Sequence, residues 1–76
     1  MYIDEAYAIL KTTQPTLDEL LQAHEVLSVE KGFFLAIATR DLEESCGNTE
    51  LQSKIWKLAF YIKVLHIKIQ NEFSQL

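Results

Sequence analysis

Two histidines, one cysteine, a knot of carboxylates and a row of lysines are the residues of this chain whose types bear on chemistry. His24 falls on an apolar helical stripe, where a histidine satisfied in a core or interface is the expected role. His66 flanks a second such stripe, with no acid or thiol at metal-ligand spacing. Cys46 lies between Glu43-Glu44 and Glu50. Acidic neighbours disfavour a thiolate, so this cysteine reads as a turn residue and not as a nucleophile. Asp41, Glu43, Glu44 and Glu50 crowd the same turn without calcium-loop spacing, and read as a solvated acidic turn. There is no glycine-rich phosphate loop, serine elbow or paired-carboxylate motif. The expectation is a protein with no catalytic residue, cofactor or metal, and so not an enzyme.

Lys54, Lys57 and Lys68 share one side of a predicted last helix with Tyr61. Basic residues interleaved with an aromatic ring are the pattern of a nucleic-acid contact, and lysines beside aromatics also suit a helix lying on a membrane surface. The blander reading is a solvated face paired with acids of the neighbouring helix. Net charge favours the bland reading. The chain carries −4, with ten acids and three bases in residues 1–50 against four lysines and one glutamate in 51–76. An acidic total is a poor footing for phosphate binding, and two halves of opposite sign are expected to lie side by side.

The chain has 76 residues, of which 49% are hydrophobic and 11% aromatic. That apolar content excludes a disordered segment, while the length limits it to one domain with a small core. A single cysteine makes no internal disulfide, and no Cys/His cluster supplies a structural zinc. A partner surface is then the remaining external source of stability. The N-terminus lacks the basic and apolar regions of a secretory signal. The most apolar stretch, residues 55–69, contains Lys57, Lys63, His66 and Lys68, against the nearly charge-free run of about 20 residues that a transmembrane helix needs. A cytoplasmic location is expected.

Three helices are predicted. Ile3, Ala6, Tyr7 and Leu10 share a face of a helix over about residues 3–13, which Pro15 ends. Thr16 and Glu19 form a capping box that opens a second helix over about 17–45. Its stripe is Leu17, Leu20, Leu21, His24 and Leu27, continuing to Phe34, Leu35, Ala38 and Leu42. Gly32 costs roughly 1 kcal/mol against alanine, so a kink or break over 28–32 is the alternative to a continuous helix. Gly47 suits a left-handed C-terminal cap, and Thr49 and Gln52 suit a second capping box. The last helix, about 50–74, carries the cleanest pattern. Leu51, Ile55, Leu58, Ile62, Leu65 and Ile69 alternate at spacings of four and three, with Phe73 and Leu76 beyond. That is an a/d heptad seam.

Both long helices have a second apolar face, Val26, Val29, Phe33 and Ile37 on one and Trp56, Phe60, Val64 and Ile67 on the other. The fold expected is all-α: a short N-terminal helix, then a long antiparallel hairpin resembling a bundle or coiled coil, completed by dimerisation. The four apolar residues of the first helix are too few to cover eight. The alternative is a compact bundle, broken near Gly32, that consumes both faces internally. The function expected is a small non-catalytic interaction module, an adaptor, regulator, inhibitor or co-chaperone. It forms a homodimer and binds an unidentified protein partner through those eight residues. The second hypothesis is a small dimeric nucleic-acid-binding regulator that uses Lys54, Lys57 and Lys68.

Overall fold

The structure, a computed structural model, describes residues 1–40 and 47–75. These form three helices and no strand: α1 Ile3–Lys11, α2 Leu17–Arg40 and α3 Thr49–Ser74. α2 and α3 pack against each other, and α1 packs on α2. The long pair is antiparallel. His24 sits across from His66, with ring centroids 6.4 Å apart, and ten residues further along α2 the ring of Phe34 lies 5.7 Å below the Lys54 ammonium. The molecule is correspondingly elongated, 47 × 22 × 16 Å.

Local chemistry sets the helix ends. The capping box at Thr16 is reciprocal: the Glu19 amide donates to Thr16 Oγ1 at 3.1 Å, and the Thr16 amide donates to Glu19 Oε1 at 3.0 Å. Two of the orphan donors of the helix start are thereby satisfied. α1 ends earlier than predicted, at Lys11, where Thr12 turns extended. The start of α3 also differs. Asn48, not Thr49, is the cap, its Oδ1 accepting the Leu51 amide at 3.0 Å. Asparagine precedes threonine in capping strength, and its use draws Thr49 into the first turn. α2 runs unbroken through Gly32, so the break at 28–32 does not occur. The proposed extension of this helix to residue 45, the Gly47 cap that would close it, and the readings of Asp41, Leu42, Glu43, Glu44, Cys46 and Leu76 lie outside the described residues or depend on them.

The core is Ala6 and Ile9 of α1, Leu20, Ala23 and Leu27 of α2, and Leu58, Leu65 and Ile69 of α3. The α3 seam is therefore real at its centre. It weakens at the ends, where Leu51 and Ile55 are half-buried and Phe73 is 55% exposed, and Ile62, between Leu58 and Leu65, is only half-buried although the spacing places it in the core. On α2 the predicted stripe was too wide. Leu21 and Leu35 are exposed, while Ala23, absent from the stripe, is fully buried. The reason is that α2 serves two neighbours. Leu20 and Leu27 lie on the side of His24 and Phe34, which meet α3, Ala23 lies about 60° round from Leu20 toward Val26 and α1, and Leu21 falls about 100° round the opposite way.

α1 is about 13 Å long against about 36 Å for α2, so it covers only part of the hairpin. It is tied to α3 at two points. The Tyr7 and Tyr61 rings meet edge to face at 5.7 Å. Lys68 Nζ donates to the Leu10 carbonyl at 3.3 Å, one of the last carbonyls of α1, which have no acceptor role within the helix.

Leu58 is 2% exposed at the centre of the seam. Leu58→Ala should cost about 2–5 kcal/mol in urea unfolding, and Ile62→Ala less, because Ile62 is half-buried. Equal and negligible losses would place the seam in solvent. Gly32 has open space where a Cβ would stand and lies in the middle of a continuous helix. Gly32→Ala should therefore stabilise by about 0.5–1 kcal/mol, a gain that the same unfolding series would read.

Candidate interaction surface

Because the seam of α3 faces α2, the second apolar face of each helix points away from the other. At about 100° per residue, Val29 lies about 180° around α2 from Leu20, and Trp56 and Ile67 lie about 160–180° around α3 from Leu58. The eight candidate residues thus do not form one surface. They form two edges, on opposite sides of the hairpin. Six of the eight are exposed: Val29, Phe33 and Ile37 on the α2 edge, and Trp56, Phe60 and Ile67 on the α3 edge. Trp56 is the most open of them at 75%, and Phe60 stands at 62%.

α1 shelters the other two. Val26 packs on the core and lines a groove with Met1, Tyr2, Ile3 and Val29. Val64 is half-buried in a shallow groove between α1 and α3, with Tyr7, Leu10, Lys11, Phe60 and Tyr61. Five exposed large apolar side chains are not among the eight: Leu21 and Leu35 of α2, Phe73 of α3, and Met1 and Tyr2 ahead of α1. The signal for the first two was present, since a fourteen-residue spacing returns to the same helix face, but both were assigned to the seam.

The lysines are dispersed by their contacts. Lys68 is held by Leu10. Lys54 pairs with Glu50 within its own helix at 3.7 Å and lies over the Phe34 ring. Both partners of that ion pair are largely exposed, which makes it a weak contributor to stability. It is also the one ion pair among the described residues, so the lysines of α3 pair with none of the described acids of α2. They spread instead onto a carbonyl, an aromatic face and solvent.

The two histidines, read from sequence as isolated, face each other across the hairpin with their rings tilted 43°. Among the described residues no group of three or more His, Cys, Asp or Glu side chains is gathered to hold a metal. Among them, too, no helix is long and apolar enough to cross a membrane.

Among the described residues, Tyr7 is a titrating group that its surroundings alter. Burial raises its phenol above the ordinary value of 10.0, and Tyr61, Glu30 and Asp4 add to the effect in that order. Above pH 10 the unfolded chain gives up a proton that the folded chain keeps, so stability falls as pH rises through that range. Tyr7→Phe removes this loss. The stability of the variant relative to the parent should improve from about pH 8 to about pH 11, measured by urea unfolding at each pH. An unchanging difference would place Tyr7 in open solvent.

Compared with known protein families, curated proteins and solved structures, the chain shows no significant match.

Proposed function

We propose that this chain is a small non-catalytic interaction module that self-associates into a homodimer and engages another protein through an apolar helix edge, as an adaptor, regulator or inhibitor, or co-chaperone. The observation that carries the reading is the exposure of Trp56, Phe60 and Ile67 along one edge and of Val29 and Phe33 along the other. Fully exposed aromatic side chains present on the order of 200 Å² each. At their observed exposures the three residues of the α3 edge alone leave roughly 400 Å² of apolar surface in water. On a molecule whose whole accessible surface is 5643 Å², that is the size of the largest apolar patch on a typical monomer, a patch that is often functional.

Stability argues the same way. Eight hydrophobic residues make up the buried core, and a domain of this length buries too little to be robust alone. Association adds burial to a folded state that is otherwise marginal. A nucleic-acid role has less support, since Lys68 and Lys54 are already engaged.

Sedimentation tests the reading. The full chain should run as a dimer at micromolar concentration, and Phe60→Glu should shift it toward monomer with helix content largely retained. Association should persist at about 0.5 M salt, where phosphate binding would have collapsed. A wild-type chain that remains monomeric at hundreds of micromolar overturns the proposal.

A further inference from the structure

We propose that His24 and His66 form a two-imidazole site for a divalent transition cation of the zinc kind, bridging α2 and α3 on the open flank of the hairpin. The site is independent of the self-association reading.

The fold assembles the pair. The two histidines are forty-two positions apart in the chain, and neither has a ligand partner at short sequence spacing. The antiparallel register of the hairpin supplies one, bringing the rings to 6.4 Å between centroids with a tilt of 43°. A ligating imidazole nitrogen stands about 2 Å from a zinc ion, which puts its ring centre roughly 3 Å from the metal and two rings on one ion up to about 6 Å apart. The observed spacing lies at the outer end of that range. His24 is half-buried, one turn from the buried Leu20 and Leu27, whereas His66 is exposed. One ring is therefore anchored at the edge of the core and the other is free to adjust. The outer torsion of a histidine side chain is broad, so a modest rotation at His66 brings both nitrogens onto one ion.

The nitrogens are available. The Ser28 hydroxyl donates to the backbone carbonyl of His24 at 2.7 Å and not to the ring, and no hydrogen bond joins either imidazole to another group among the described residues. A neutral imidazole offers one bare nitrogen to a metal and keeps one N–H for an outer partner.

The flank is open. α1 closes the hairpin from the other side, where it meets Tyr61 and Lys68 of α3. Those residues stand about 140–160° around α3 from His66, so a cation reaches the pair from solvent and water completes its coordination. Ser28 and Gln70, each four residues on from its histidine, border the pair with neutral oxygens. Lys63, three residues before His66, is exposed and extends its ammonium into water. Two imidazoles without a carboxylate suit zinc, copper(II) or nickel. Calcium and magnesium require oxygen ligands. Two protein ligands are one fewer than a catalytic zinc site uses, so the ion acts as a cross-link. The unfolded chain does not hold the two histidines together, and binding then stabilises the hairpin by linkage.

The test uses the full chain carrying Cys46→Ser, which removes the one thiol. It is stripped of metal and titrated with zinc chloride alone by calorimetry. One zinc per chain is expected, with no binding of magnesium or calcium. His24→Gln and His66→Gln should each weaken zinc binding by about 10–100-fold or more, since loss of even an outer partner of a metal ligand costs that much. At zinc a hundred times the dissociation constant, the folded-to-unfolded ratio should rise about a hundredfold. For a domain of this size that moves the thermal midpoint up by roughly 10–20 °C, and either variant should lose most of the shift at the same zinc concentration. Copper(II) bound to the parent should show hyperfine coupling to two imidazole nitrogens in electron resonance, a readout that decides even where a variant fails to fold. Zinc binding absent up to millimolar concentration, binding that survives either substitution, or coupling to a single nitrogen overturns the proposal. One zinc per two chains places the metal between copies and overturns it as well.

Discussion

One line of contact, Leu20 and Leu27 of α2 against Leu58, Leu65 and Ile69 of α3, determines where every other surface of the molecule points. A helix touches one neighbour along a stripe about 100° wide. Once that stripe is committed to the hairpin, the remaining arc of each helix has to be polar, covered or left in water. α1 covers one flank for part of its length, through Ala6 and Ile9. The N-terminal segment borders the outer edges only at Val29 and Phe60 and leaves both exposed. The exposed rings of Trp56, Phe60 and Phe33 are therefore a geometric consequence of the same seam that folds the protein.

α1 shows how small a contribution suffices to dock a short helix. Nine residues are too few to be helical alone in water. Its order comes from burial of two side chains, from the Tyr7–Tyr61 contact and from Lys68 on its last turn. The lysine contact combines a hydrogen bond with favourable charge at the negative end of the helix. It also diverts one member of the basic row from any outside partner. The same residue thus serves α1 docking and weakens the nucleic-acid reading.

What was legible in the sequence was what depended on one helix and one neighbour. The α3 seam obeys a strict alternation because it meets chiefly α2, and Leu58, Leu65 and Ile69 are buried as the spacing predicts, while Ile62 between them is only half-buried. The Thr16 box was legible because it needs only residues three apart. The α2 stripe was not, because α2 has two neighbours whose demands differ by a quarter turn; periodicity alone gave Leu21 and Leu35 to the seam and overlooked Ala23. The eight-residue surface was legible as a set of residues but not as a shape. Residues opposite the mutual contact of two helices lie on opposite sides of the pair, a step that follows from the hairpin itself.

The separation of the edges changes what association can accomplish. A closed two-fold dimer uses one patch on each copy, and a single patch here is one edge. Trp56, Phe60 and Ile67 lie within about 40° of one another around α3, with no carboxylate between Glu50 and Glu72. Val29, Phe33 and Ile37 turn progressively around α2, and Val29 shares a groove with Glu25, Glu30 and Met1–Ile3. Under the proposed self-association, a dimer closed on either edge leaves the other edge of both copies in water. The proposed capture of a different protein would then have a surface of its own, because the hairpin, through the core from Leu20 to Ile69, holds the two edges on opposite sides.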